Sequence, residues 1–301
     1  MSEPCFGVAL GSGSARGWAH IGVLQELDAI GLRPQVVAGT SIGALVGAVY
    51  VSGQTEAFAE WVRKLTVRDV FGLMDFTLSG GVVKGEKLFG FFQKQHQNPD
   101  IETLNQRFVS VATDMACGRE VWIDKGPVLA AARISCALPG VLRPVQHEGR
   151  WMLDGGLVNP VPVSAARAAG AELVLAVNLN AQLVGRHFSR EGRAAASSAE
   201  DRERGFWQKV MGFFESDDDQ PSMFDVIAAS INIMQDRITT GRMTGDPPDI
   251  MLAPRLADFA MMDFHRAEEA IAEGRALVRD RADEIRARVR AGAPREAIKA
   301  R

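Results

Sequence analysis

The sequence predicts an α/β fold, a three-layer α/β/α arrangement in which helices cover both faces of a central, mostly parallel sheet. Within the first fifty residues, an apolar run, a glycine-containing turn and a helical pattern follow one another twice, at residues 6–30 and 35–51. Later in the chain, short apolar runs continue to alternate with helical patterns. Such repeated strand–loop–helix units are typical of a parallel sheet, because parallel strands need a crossover that a helix usually supplies.

Strands are predicted where short apolar or β-branched runs are bounded by glycine, proline, asparagine or aspartate. They lie at residues 6–10, 35–38, 108–113, 120–124, 151–154, 173–178 and 250–252. Helices are predicted where apolar residues recur every three or four positions. They lie at residues 18–30, 42–51, 127–136, 164–169, 223–240 and 263–289. The last helix is expected to start at Asp263, a residue type that commonly caps helices.

The chain is expected to be a single domain, residues 1–301. Residues 186–222 are rich in charged and small polar side chains, which predicts a mobile insertion. Inside it, Trp207 and Phe214 share one face of a short helical pattern. That helix is interpreted either as packing on the domain or as an interfacial membrane anchor. Residues 223–301 are predicted to be a helical extension packed on the core.

Composition excludes several classes of protein. Apolar residues make up 47% of the 301 residues and charged residues 24%, so a sizeable core can be buried. The net charge is −3 and the isoelectric point is about 6.0. Nucleic-acid-binding proteins normally present a basic face, so no nucleic-acid partner is expected. The three cysteines include no C-x-x-C pair, which argues against a zinc site and a disulfide framework.

The sequence also predicts the compartment. The amino terminus has neither the basic region nor the apolar core of a signal peptide, and no apolar run reaches the roughly 18 residues that span a bilayer. Three widely separated cysteines are compatible with a reducing compartment. We therefore expect a soluble, cytoplasmic protein, with peripheral contact at the inner membrane surface left open.

A G-x-S-x-G pentapeptide occupies residues 39–43, within the run "VVAGTSIGALVGA". It lies between a predicted strand and a predicted helix, which is where a nucleophile elbow presents its serine. Gly39 and Gly43 relieve the crowding that such a sharp turn creates. The helix directs the positive end of its dipole at Ser41, and the N–H of Ile42 is placed to donate to an oxyanion. Ser41 is therefore the predicted nucleophile.

A glycine-rich loop, "GSGSARG" at residues 11–17, follows the first strand. A dinucleotide-binding loop would have the spacing G-x-G-x-x-G and an acidic residue at the end of the next strand, and both are missing. An oxyanion hole requires only backbone N–H groups near Ser41, and the carboxyl ends of neighbouring parallel strands meet at one sheet edge. The loop is therefore interpreted as an oxyanion hole. Its expected donors are Gly13, Ser14 and Ala15, next to Arg16 and Gly17. Arg16 is expected either to brace the loop or to approach a substrate phosphate.

The proton acceptor for Ser41 is the less obvious residue. The histidines are His20, His96, His147, His187 and His265. Only His265 has the late chain position of an α/β-hydrolase histidine, but it lies near the start of a predicted helix. Asp154, in "RWMLDGGLVNPVPV", follows a predicted strand, and Gly155 and Gly156 allow a sharp turn after it. An ordinary aspartate is ionised at neutral pH and can accept a proton. On local sequence alone, a plain Asp-Gly-Gly turn remains the alternative.

Three motifs in this order, "GSGSARGWAHIGVL", "GTSIG" and "DGG", resemble the patatin-like phospholipases, in particular their bacterial RssA-like branch. The stretches "VSVATDMACGREVWI" and "ISCALPGVLRPV" support the resemblance, which covers roughly residues 6–180 and weakens towards the end. It implies a Ser-Asp dyad in which Ser41 is the nucleophile and Asp154 the base, with Ser12–Gly17 as the oxyanion hole. Ser12 and Ser14 stand where many members have glycine.

The resemblance further implies a lipid acyl hydrolase, that is a phospholipase, lysophospholipase or carboxylesterase, that forms an acyl-enzyme and uses no metal or cofactor. The implied substrate is a lipid or another acyl ester. A non-hydrolytic interaction module on the same scaffold and an acyltransferase are the alternatives. Val70–Phe92, rich in Phe, Leu and Val, is interpreted either as a cap over an acyl chain or as ordinary helical packing. Head group, chain length and oligomeric state are left open.

Overall fold

A single mixed sheet forms the centre of the computed structural model, which describes residues 4–73, 97–181 and 223–291. Its strands are β1 (Phe6–Leu10), β2 (Val36–Thr40), β3 (Arg107–Asp114), β4 (Glu120–Ile123), β5 (Val145–His147), β6 (Arg150–Asp154), β7 (Leu173–Val177) and β8 (Ile250–Leu252). The order across the sheet is β5-β6-β3-β2-β1-β7-β8, and β4 pairs additionally with β3.

The parallel part of the sheet determines where the loops emerge. β3, β2, β1, β7 and β8 are parallel neighbours, so the loops after β1 and β2 leave from the same edge. β6 runs antiparallel to β3, and its last residue, Asp154, pairs with Ala112 near the carboxyl end of β3. The neighbouring Val111 pairs with Thr40 at the end of β2. The register therefore brings the end of β6 to the edge at which β2 ends.

Helices flank both faces of the sheet. In the described part of the chain they are α1 (Ala19–Ala29), α2 (Ile42–Val51), α3 (Thr55–Arg63), α4 (Val67–Leu73), α5 (Val128–Ser135), α6 (Val163–Ala168), α7 (Met223–Gly245), α8 (Ala267–Asp280) and α9 (Ala282–Ala291). Along β1, Val8 faces the larger apolar core, which α1, α2, α3, α5, α8 and α9 fill, while Ala9 faces the smaller core under α6. The predicted three-layer α/β fold is confirmed. None of these helices combines the length and the apolar character that crossing a bilayer requires.

Most predicted elements are confirmed within one or two residues, but the prediction of one helix over residues 263–289 is wrong. The structure has two helices, α8 and α9, and α8 starts after Arg266 rather than at Asp263. The Asp263 carboxylate instead accepts a hydrogen bond from the Ala260 amide at 2.9 Å, which holds the preceding loop.

Further elements were missed or lie outside the described residues. β5, with three residues, and the helices α3 and α4 were not predicted, and α7 extends five residues beyond the predicted end at residue 240. The predicted insertion at residues 186–222 and nearly all of the segment Val70–Phe92 lie outside the described residues, as do His96 and His187. The single-domain organisation stays a prediction.

Candidate active site

Ser41 occupies a strained turn between β2 and α2. Its backbone has φ 56° and ψ −124°, a region that side-chain-bearing residues seldom adopt and that marks functional turns. The Ser41 N–H donates to Ser135 Oγ at 2.7 Å, and the Ser135 hydroxyl donates in turn to the Val111 carbonyl at 2.5 Å. The buried Ser135, at the end of α5, therefore ties the turn to β3.

Two glycines allow this turn to sit close to the sheet. A Cβ on Gly43 would overlap the carbonyl oxygen of Leu10, and a Cβ on Gly39 would lie 2.5 Å from Ala44 Cα. Any side chain at either position would push α2 away from the sheet. The G-x-S-x-G spacing thus reflects close backbone packing around Ser41.

The side chain of Asp154 contacts Ser41 at this turn. The Ser41 hydroxyl donates to Asp154 Oδ2 at 2.6 Å, and the Gly156 N–H donates to Asp154 Oδ1 at 2.7 Å. A Cβ on Gly155 would overlap the Val111 carbonyl, so glycine is needed for the chain to turn here. Asp154 has no solvent-exposed surface. Burial raises the pKa of Asp154 to about 6, although the hydrogen bonds from Ser41 and Gly156 oppose the rise.

None of the histidines in the described residues hydrogen-bonds Ser41 or Asp154. His20 is fully buried in α1, with Nε2 2.8 Å from the Gly11 carbonyl. Burial lowers the pKa of His20 to about 4, so the ring is neutral at pH 7 and Nε2–H is the donor to that carbonyl. His147 lies on β5, and His265 is exposed. His20 therefore holds the glycine-rich loop rather than serving Ser41.

The glycine-rich loop brings backbone N–H groups to the same cavity as Ser41. Within the described residues, no acceptor takes the N–H groups of Gly13, Ser14 or Ile42, and all three residues line that cavity. The Ala15 N–H donates to the Met261 carbonyl at 3.2 Å, so we leave it out of the donor set. The donors available to an oxyanion are thus the amides of Gly13, Ser14 and Ile42.

Packing and a local hydrogen bond hold this loop in place. A Cβ on Gly17 would overlap the side chain of Ile42, so the loop approaches the elbow closely. Ser14 has φ 52°, where glycine would be less strained, and its hydroxyl donates to the Met261 carbonyl at 2.6 Å. The serine in place of glycine therefore carries strain that this hydrogen bond offsets.

Arg16 braces the loop from inside the protein. Its side chain is 1% exposed, and its guanidinium donates to the Phe259 carbonyl at 3.3 Å, Asn180 Oδ1 at 3.3 Å and Asn232 Oδ1 at 3.4 Å. Burial lowers the pKa of Arg16 to about 10, against the attraction of Asp263, so the group stays charged at neutral pH. Of the two expected roles, the bracing role is the one these contacts describe.

A cavity of about 140 Å³ opens above Ser41. Its lining is mainly apolar on the side of α2, α3 and the loop after α5, and includes Ile42, Leu45, Trp61, Leu65, Leu138 and Leu142. The opposite side is more polar and is formed by the glycine-rich loop and α7, through Asn232 and Gln235. The described residues contain no cluster of three or more His, Cys, Asp and Glu side chains suited to holding a metal ion.

Sequence reasoning missed two sets of residues in this site. Ser135 lies in "ISCALPGVLRPV", but nothing in that stretch reveals that its hydroxyl reaches Ser41, 94 positions away. Asn232 and Gln235 lie on α7, where a polar pair in a helix looks like a solvated face. Their spacing of three residues puts both on one side of the helix, which is the only signal the sequence offers.

This chain is similar to known proteins of the patatin-like phospholipase and NTE families. The family model for patatin-like phospholipase matches residues 8–167. An NTE family protein of Mycobacterium tuberculosis is 32% identical over 326 aligned positions, which cover 92% of this chain and 91% of that protein. The lysophospholipase NTE1 of Scheffersomyces stipitis is 27% identical over 290 positions, covering 89% of this chain and 17% of that protein. Patatin-like phospholipase domain-containing protein 6 of Homo sapiens is 30% identical over 183 positions, covering 58% and 13% respectively.

Proposed function

Because the chain belongs to the patatin-like phospholipase family, we propose that it is a lipid acyl hydrolase that uses a Ser-Asp dyad and an acyl-enzyme. The observation that carries the proposal is the 2.6 Å hydrogen bond from Ser41 Oγ to the buried carboxylate of Asp154. A nucleophile within hydrogen-bonding distance of its base is the arrangement that covalent acyl transfer requires. Ser41 lines the cavity, so an ester bound there can reach its hydroxyl.

In the acylation step, Ser41 Oγ forms a bond to the ester carbonyl carbon while its proton passes to Asp154. The carbonyl oxygen becomes an oxyanion within reach of the N–H groups of Gly13, Ser14 and Ile42. Donors of this kind are each worth on the order of 3 kcal/mol in the transition state. The C–O bond to the alcohol then breaks, and Asp154 returns the proton to the departing alcohol oxygen.

Water completes the cycle from the position that the alcohol has left. Asp154, again ionised, accepts a proton from that water as its oxygen bonds to the acyl carbon. The second tetrahedral intermediate collapses, the bond to Ser41 Oγ breaks, and the proton on Asp154 returns to Ser41. The products are a fatty acid and an alcohol, and the enzyme is restored.

The apolar side of the cavity supports a substrate with a hydrocarbon acyl chain. Leu45, Trp61 and Leu65 line this side, and apolar surface binds an alkyl chain in proportion to the area removed from water. A relative carries the name lysophospholipase, which agrees with an ester of a single acyl chain. Peripheral contact with a lipid surface and a cytoplasmic location are part of the same proposal.

A fluorophosphonate probe and 4-nitrophenyl butyrate test this proposal. We expect the probe to label the wild-type protein and to leave Ser41→Ala unlabelled. Asp154→Asn should lower ester hydrolysis by about 10²-fold or more, the range for loss of a general base, whereas His265→Ala should retain wild-type activity. Activity that survives Asp154→Asn but is lost in His265→Ala would instead indicate a histidine base.

The same assays separate the two alternative functions. A folded wild-type protein that neither labels nor hydrolyses any of a panel of lipid esters would indicate a non-hydrolytic module. Formation of a new ester when an alcohol such as glycerol is added would indicate an acyltransferase, because the alcohol then competes with water for the acyl-enzyme.

A further inference from the structure

Gln235 stands out on the polar side of the cavity. It lies on α7, its side chain is 5% exposed, and it lines the cavity together with Ser41 and Ser12. Its Oε1 accepts hydrogen bonds from Asn180 Nδ2 at 2.8 Å and from Ser12 Oγ at 3.0 Å. Its Nε2 donates to no acceptor among the described residues. One end of this amide is therefore fully used, whereas the NH₂ end remains accessible from the cavity and free to donate to a ligand.

The hydrogen-bond network around Gln235 determines which end faces the cavity. Arg16 has only donors, so Asn180 must direct Oδ1 towards the guanidinium. The NH₂ group of Asn180 then donates to Gln235, and Gln235 must accept this hydrogen bond with Oε1. The buried cation therefore orients both amides in sequence, and the Gln235 NH₂ group is the end left for the cavity.

This NH₂ group lies on the side of the site where Asp154 acts. A Cβ placed on Gly156 would overlap Gln235 Nε2 and would lie 3.0 Å from Asp154 Oδ1. Nε2 and the carboxylate are thus neighbours across Gly156. Because Asp154 returns its proton to the departing alcohol, this is the side that the alcohol part of the ester occupies. The N–H groups of Gly13 and Ser14, which are expected to bind the oxyanion, belong instead to the glycine-rich loop.

We propose that Gln235 determines specificity for the alcohol part of the substrate, by donating a hydrogen bond from Nε2 to an oxygen carried by that alcohol beyond the scissile ester. The proposal rests on the ester hydrolase function proposed above. It favours polyhydroxy alcohols, glycerol being the simplest in lipids, over alkyl alcohols that carry no such oxygen. A site that hydrogen-bonds a substrate hydroxyl rejects an analogue lacking it, because its own polar group is then left unpaired.

A pair of matched esters measures this preference. Glycerol 1-monobutyrate and propyl butyrate have the same acyl group and the same three-carbon alcohol skeleton, and differ only in two hydroxyl groups. For the wild-type protein we expect kcat/KM to be about tenfold higher for the glycerol ester, the factor expected for one hydrogen bond. Since both esters are assayed on one preparation, the ratio does not depend on how much of a variant is folded.

Two substitutions remove the donor in different ways. Gln235→Met removes both ends of the amide at nearly constant side-chain length, whereas Gln235→Leu removes them and also shortens the side chain. Neither variant puts a charge beside Asp154 or offers an oxygen that could accept from the substrate hydroxyl. We expect the kcat/KM ratio to fall to about one in both variants. Thr239→Val is the matched control, because Thr239 lies one turn further along α7, is equally buried, and does not line the cavity. Its ratio should equal that of the wild type.

The outcomes separate this inference from the function on which it rests. A wild-type protein that hydrolyses neither ester and resists fluorophosphonate labelling would overturn the proposed function and this inference with it. A protein that hydrolyses both esters with a ratio unchanged by Gln235→Met and Gln235→Leu would overturn the role of Gln235 alone. A ratio that falls equally in Thr239→Val would show that α7 packing, and not the Gln235 donor, sets the preference.

Discussion

Burial sets the basicity of Asp154, the proton acceptor in the proposed dyad. The carboxylate has no exposed surface, and among the described residues only Ser41 and Gly156 donate hydrogen bonds to its oxygens. Loss of solvation outweighs those bonds and raises its pKa to about 6. At neutral pH the group is therefore mostly ionised, yet it is a stronger base than a solvated carboxylate. A pKa just below the working pH suits a general base.

The raised pKa of Asp154 predicts an acid limb in the pH profile. Because only the ionised carboxylate accepts the Ser41 proton, kcat/KM for an uncharged ester should fall as the pH drops through about 6. Below that point it should decrease about tenfold per pH unit. The measurement is kcat/KM between pH 4.5 and 8.5. A midpoint near 4, the pKa of an ordinary aspartate, would contradict the effect of burial.

The raised pKa of Asp154 should also lower the stability of the folded protein at neutral and higher pH. A carboxyl group whose pKa is higher in the folded than in the unfolded state binds a proton more tightly in the folded state. The folded protein therefore loses stability as the pH rises from about 4 to 6 and the group ionises. Asp154→Asn removes this penalty. Its free energy of unfolding at pH 8 should therefore exceed that of the wild type by on the order of 2–3 kcal/mol, and the difference should vanish near pH 4.

Ser135 should affect activity more than its burial alone predicts. Ser135→Ala leaves the Ser41 N–H and the Val111 carbonyl without their partner, which frees a strained turn. We expect kcat to fall by about tenfold or more, in line with the loss of one to two buried hydrogen bonds, at unchanged KM. Ser135→Thr, which keeps the hydroxyl, should restore most of it.

Ser110→Ala is the control for that experiment. Ser110 is as buried as Ser135 and donates to the Ala131 carbonyl at 2.9 Å, but it does not contact the Ser41 turn. Both variants should lose comparable stability, while only Ser135→Ala should lose turnover per labelled active site. Equal losses of turnover in the two would mean that Ser135 acts through general packing.

At the scale of elements, the distance between α2 and the sheet depends on a helix glycine. Gly43 lies in the first turn of α2, and Gly43→Ala would force its Cβ into the Leu10 carbonyl. We expect a destabilisation of about 2 kcal/mol or more and a large loss of fluorophosphonate labelling, because Ser41 moves with α2.

Gly241, in the exposed part of α7, has open space around it. Gly241→Ala should therefore stabilise the protein, by up to about 1 kcal/mol. Urea unfolding of both variants gives the comparison, and a Gly43→Ala protein as stable and as reactive as wild type would contradict it.

The elements also show which features local sequence can encode. The turns at residues 11–17 and 39–43 were predictable because each follows an apolar run and precedes a helix. The glycines and their immediate sequence neighbours are therefore enough to identify these turns. The break between α8 and α9 was not, because Arg281 is an ordinary helix former and the apolar pattern of Ile271, Val278 and Ile285 continues through it. A hydrophobic pattern indicates which face of a helix is buried. It does not reveal a break after which the next helix buries the same face.

At the scale of the whole molecule, predictability declines with the distance over which a contact acts. The family and the positions of Ser41 and Asp154 followed from three ordered motifs, and membership of the family is confirmed; the RssA-like branch stays a prediction. The partners of Arg16 come from Asn180 and Asn232, 164 and 216 positions away. No local pattern marks such partners, since each residue type is also common on solvated surfaces. The contribution of α7 to the polar side of the cavity therefore became visible only in the folded chain.

The long-range contacts also predict how the protein unfolds. Ile271 of α8 is fully buried in the same core as Val8 of β1, so residues 4–73, 97–181 and 223–291 should lose structure together. Ile271→Ala should destabilise the protein by about 2–4 kcal/mol. It should move the urea midpoint equally whether unfolding is followed by far-UV circular dichroism or by loss of fluorophosphonate labelling at Ser41. Ile233→Ala, at a position 50% exposed on α7, should change the stability by less than about 0.5 kcal/mol. Two separate transitions, or an Ile271→Ala shift seen by circular dichroism but not by labelling, would mean that the C-terminal helices form a unit distinct from the one that holds Ser41.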